Sequence, residues 1–89
     1  MEKRIKFKYD RKEDGTPIKT SCVIMMEDNK EFVSGVIGYS VCSKKDNFNK
    51  KVGRAIALQR ANKVLEVGTL VNSDGFLRGE VITEKPTWV

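Results

Sequence analysis

Seven of the chain's seventeen cations fall between residues 44 and 63, where Asp46 is the only acid. Lys44, Lys45, Lys50, Lys51 and Arg54 crowd the first half of that segment, Arg60 follows, and the hydroxyl of Ser43 stands just ahead. Ammonium and guanidinium groups at such spacing suit phosphate oxygens, which arginine can meet with two parallel N–H donors. A nucleic-acid backbone or another phosphate-bearing ligand is therefore the partner these residues point to, with Ser43, Lys44, Lys45, Lys50, Lys51, Arg54 and Arg60 as candidate contacts. Arg4, Lys6 and Lys8 form an auxiliary basic row near the N-terminus.

Other chemistry finds little material. The chain has no histidine, so the commonest general base and the commonest zinc ligand are both missing. Cys42 precedes the basic segment, where Lys44 and Lys45 would favour its thiolate, but it has no histidine to act as base. Cys22 and Cys42 are too few for a zinc site, and with no secretory signal they are expected to stay free thiols that serve packing. The acidic residues lack the spacings of metal-dependent nucleases, and Gly35-Val36-Ile37-Gly38 lacks the lysine and hydroxyl of a phosphate-binding loop. The expectation is a non-enzyme with no cofactor and no metal.

Eighty-nine residues with a net charge of +5 allow one small domain, residues 1–89. No apolar run is long enough to cross a bilayer, so no membrane partner and a cytoplasmic setting are expected. The basic segment must be positioned by the elements around it. Arg4 to Tyr9 alternates strictly, with Ile5, Phe7 and Tyr9 on one face and Arg4, Lys6 and Lys8 on the other, as in a half-buried strand. Asp14-Gly15 marks a turn, and Pro17 opens a second strand that is apolar on both faces towards Met26, as a central strand would be. Asp28-Asn29 marks the next turn, and Glu31 to Val41 reads as a third strand in which Gly35 and Gly38 signal a bulge or a close backbone approach.

From Asp46 to about Leu65 the period changes to that of a helix, with a capping box at Ser43-Lys44-Lys45-Asp46 and a stop at Gly68. Phe48, Val52, Ala55, Ile56 and Gln59 share one arc; Gly53, Ala57 and Ala61 recur on the opposite side between Lys50, Arg54 and Arg60. That small, basic back can be read three ways: a solvated face, a surface that a phosphate backbone approaches closely, or a contact between two helices of a homodimer. Segments around Asn72-Ser73-Asp74-Gly75 suggest a C-terminal hairpin or extra strand, and Trp88 is expected to dock on the body. The fold class is thus α+β: an antiparallel three-stranded meander, one main helix packed on the sheet, and a C-terminal pairing.

Residues 42–61 contain Asp46, Phe48, Lys50-Lys51, Gly53-Arg54, Ile56-Ala57 and Arg60-Ala61 in the pattern D-x-F-x-K-K-x-G-R-x-I-A-x-x-R-A. This segment resembles one found in small bacteriophage and prophage proteins of unassigned function. The resemblance implies an accessory protein of a phage in its host's cytoplasm that binds nucleic acid or interferes with host defence, and it carries over no catalytic residue. The leading expectation is weakly sequence-specific nucleic-acid binding through the basic helix, with Tyr9, Phe32, Tyr39 and Trp88 as conceivable stacking platforms and Tyr9 assigned to the core. The alternatives are a protein-interaction or defence-inhibiting module that engages an acidic partner or a second copy of itself, and a nucleotide-sequestering protein.

Overall fold

A computed structural model describes residues 1–11, 13, 17–41, 49–73 and 75–89, with the side chains of Pro17 and Ile18 excepted. Strands β1 (Glu2–Arg11), β2 (Pro17–Asp28) and β3 (Glu31–Val41) are followed by helix α1 (Lys50–Val67) and strands β4 (Leu70–Val71) and β5 (Leu77–Ile82). They form one antiparallel sheet in the order β1-β2-β3-β5-β4, so the expected meander gains a C-terminal hairpin whose β5 pairs with β3. The protein is α+β, with a single helix on the sheet among the described residues.

The register sorts every strand by parity. Phe7, Cys22 and Gly38 lie side by side, as do Ile5, Ile24 and Val36, and these face the helix. Lys6, Val23 and Ile37 form a row on the other face. Buried Val23, Met25 and Ile37 are covered there by Phe32, Tyr39, Ile82, Trp88 and Val89, so the tail docks as expected and both faces of β2 are buried. The turn between β2 and β3 holds Asn29 and Lys30 at φ 51° and 68°, the left-handed pair that a two-residue hairpin needs.

The buried face of α1 is the reverse of the one its larger apolar residues suggest. Gly53, Ala57, Ala61 and Val64 lie against the sheet, whereas Val52, Ala55 and Gln59 are exposed and Ile56 is half-buried. Gly38 explains the reversal: a β-carbon built there would meet the backbone oxygen of Ala57 and the backbone nitrogen of Ala61. A glycine in the sheet and alanines on the helix let the two backbones approach until no larger side chain fits between them. The small-residue stripe is therefore core, which removes it both as an approach face for nucleic acid and as an interhelical dimer contact.

The helix also starts later than Asp46. Asn49, in extended conformation, caps it by accepting hydrogen bonds at Oδ1 from the backbone nitrogens of Lys51 and Val52, at 3.0 and 3.2 Å. Ser43, expected as the cap, lies with Cys42, Lys44, Lys45, Asp46, Asn47 and Phe48 outside the described residues, as does the Asp14-Gly15 turn. At the other end Gly68, at φ 80°, donates its N–H to the Val64 carbonyl and stops the helix where expected.

Candidate nucleic-acid interface

The packing of α1 fixes which cations come together. Its first turns lie over the end of the sheet where Tyr9, Thr20 and Ser40 pair across three strands. Tyr9, the last helix-side residue before the bulge of β1, is half-buried there. The Lys50 ammonium sits 4.4 Å from the centre of the Tyr9 ring, a cation–π distance, and Arg54 Nη1 donates to the Tyr9 hydroxyl at 3.4 Å. Tyr9, assigned to the core from its alternation, is instead the residue that gathers the helix cations. The overlooked signal is its position at the end of a strand, where the sheet stops covering it.

Lys51 projects from the exposed side of the same turn. The first turn of α1 contains no acidic residue, and among the described residues Lys50, Lys51 and Arg54 take part in no ion pair. Positive side chains at a helix N-terminus oppose the partial positive charge of its unpaired N–H groups. On the far side of the sheet at this same end, Lys8 and Lys19 share Asp10 at 3.5 and 3.7 Å, and Lys19 stands 4.7 Å over the Tyr39 ring. Lys19 was not among the sequence-derived candidates, yet its register opposite Asp10 brings it to the basic end.

Arg60 does different work. Its Nη1 donates to the Tyr39 carbonyl at 2.6 Å, one residue past the last β3–β5 pair, Gly38–Gly79, where the ladder offers that carbonyl no strand partner on β5. Desolvation, and then the neighbouring charge of Arg78, lower the proton affinity of the guanidinium. Tyr39 in turn donates its hydroxyl to Glu80 at 3.5 Å; burial first, and the Glu80 carboxylate second, raise its pKa.

Arg4, Lys6 and Lys8 lie on the sheet face opposite the helix, so the structure does not join the auxiliary row to Lys50, Lys51 and Arg54. Arg4 is held at 3.4 Å by Glu27, a buried carboxylate, and Lys8 lies 5.9 Å from the Trp88 ring. Cys22 is fully buried beneath the helix, and burial pushes its thiol up to about 11, the reverse of an activated nucleophile. Among the described residues no three cysteine or carboxylate side chains gather as metal ligands, and no helix is long and apolar enough to cross a membrane. No family model, curated protein or solved structure matches the chain.

Proposed function

We propose that the protein binds nucleic acid, gripping the phosphate backbone with the end of the molecule where α1 begins. The observation that carries this reading is the set Lys50, Lys51 and Arg54: three exposed cations in the first turns of a helix, without acidic partners among the described residues, two of them gathered at Tyr9. A polyanion relieves the repulsion such a cluster has with itself and with the helix dipole. The sequence adds Lys44 and Lys45 a few residues ahead of the helix and Arg11 at the end of β1. Because all three helix cations are exposed, the surface is open, which favours a polymer over a sequestered nucleotide. Contacts of this kind read charge and spacing more than base edges, so sequence preference is weak.

The test is fluorescence anisotropy with labelled duplex DNA, single-stranded DNA and RNA over a salt series. Binding at ~50 mM salt that falls steeply as salt rises is expected, with the log–log slope reduced by about 3 when Lys50, Lys51 and Arg54 are all replaced by alanine. Circular dichroism should show that variant folded, since none of the three side chains is in the core. Absence of binding to every probe at ~50 mM salt, or a triple variant that binds like the parent, overturns the reading.

A further inference from the structure

Strand β1 is an open edge. Among the described residues only β2 pairs with it, and its residues Glu2 to Lys6 are all exposed, so its outer row of N–H and C=O groups is available along the first half of the strand. Such an edge templates a further strand unless something prevents it. A second copy of this chain is poorly suited to the place. Two two-fold antiparallel registers overlap nine residues each: one sets Lys6 against Lys6, Arg4 against Lys8 and Glu2 against Asp10, all of like sign, and the other offers the single opposite pair Arg4 with Asp10 but sets Lys6 against Lys8, so in both Lys6 meets a cation.

The edge presents two different requirements to a foreign strand. On the tail side, Arg4, Lys6 and Lys8 recur at every second residue; Arg4 and Lys8 have acidic partners within the chain, and Lys6 has none among the described residues. On the helix side, Ile5 is 41% exposed beside Ile24, and next to it opens a cleft of about 340 Å³ lined by Lys3, Ile24, Met26, Val36, Leu65 and Val81. The cleft exists because the helix passes over only part of that face, leaving Leu65 and Val81 more than half exposed at its rim. A strand laid along β1 would therefore need acids on one face and apolar residues on the other, which is the alternation a single extended segment supplies.

We propose that the free edge of β1 captures an extended segment of another protein in which Asp or Glu alternates with apolar residues. Main-chain hydrogen bonds extend the sheet, the acids lie beside Arg4, Lys6 and Lys8, and the apolar side chains lie beside Ile5 and reach towards the cleft. This surface is separate from the Lys50–Lys51–Arg54 cluster, so the two can fail independently.

The experiment uses the full chain, labelled with ¹⁵N, and a capped synthetic ten-residue peptide alternating Glu with Val. Expected are shifts and slowed amide exchange along Glu2 to Lys8. Affinity should fall about threefold to tenfold with Lys6→Glu, which reverses one cross-strand pair at an exposed site. A peptide with Lys in place of Glu should bind the parent weakly and Lys6→Glu better. The alanine variant at Lys50, Lys51 and Arg54 should bind the acidic peptide like the parent. The proposal is overturned if the acidic peptide does not bind, if it perturbs only the start of α1, if the Lys6→Glu variant binds it unchanged, or if sedimentation shows the parent to be a dimer paired through β1.

Discussion

Gly38 has less freedom to change than the other two glycines of the sheet, Gly35 and Gly79. A β-carbon there would lie 2.3 Å from both the Ala57 carbonyl oxygen and the Ala61 nitrogen, whereas at Gly79 it would meet a side-chain methyl of Val64 at 2.6 Å and the Ile37 carbonyl oxygen at 2.9 Å, and at Gly35 mainly the Ile82 side chain at 3.0 Å. Alanine substitutions should therefore destabilise in the order Gly38, Gly79, Gly35, by about 3, 2 and 1 kcal/mol, read from urea unfolding. Cys22, in the same layer, makes a second prediction. Its thiol titrates at about 11 in the fold against an ordinary value of 9.0, so the folded state holds the proton more tightly than the unfolded chain. The stability this contributes is complete below pH 9 and is lost as pH rises towards 11. Thermal melts over that range should show the parent losing more stability than a Cys22→Ala variant; equal losses would show that the thiol does not contribute.

At the scale of elements, the β2–β3 turn and the C-terminal tail can be tested in opposite directions. Lys30 holds a left-handed conformation that glycine adopts without the steric conflict of a β-carbon, so Lys30→Gly should stabilise the protein by about 0.5–1 kcal/mol in urea unfolding. Trp88, half-buried over Val23, Met25 and Ile37, should cost about 2 kcal/mol when replaced by alanine, less than a fully buried tryptophan would. These elements were legible to different degrees. The strands could be read because Ile5, Phe7 and Tyr9 alternate with cations, and the helix because its period and Gly68 mark it. The facing of the helix could not. Gly53, Ala57 and Ala61 contribute so little hydrophobicity that a wheel weighted by apolarity points to Val52 and Ile56; the deciding fact, Gly38 on a strand, is distant in sequence. The site suffered similarly: the cations of α1 were visible, but the role of Tyr9 depends on which helix face packs, and Arg60 was indistinguishable from its neighbours until the end of the β3–β5 ladder was known.

For the molecule as a whole, 43 × 28 × 20 Å across, charge is arranged lengthwise. At the end where the helix starts stand Lys8, Arg11, Lys19, Lys50, Lys51 and Arg54 with Asp10 and Glu13. At the end where β2 turns into β3 stand Glu2, Glu27, Asp28 and Glu31 with Lys3, Arg4 and Lys30. If nucleic-acid affinity depended on net charge alone, removing any cation would weaken it equally. Lys51→Ala and Lys30→Gly each remove one charge from opposite ends; only the first should lower affinity and the salt slope in the anisotropy assay. Equal effects would mean that the polyanion sees the total charge and not the basic end. The close seat of the helix on the sheet has a further consequence for how the protein can vary. What excludes a side chain at Gly38 is main chain, which every residue possesses, so trimming a neighbour cannot make room. Genetic suppressors of Gly38→Ala should then be reversions or changes that re-seat the whole helix, and this contact, unlike an ordinary packed pair, has no compensating partner with which to drift.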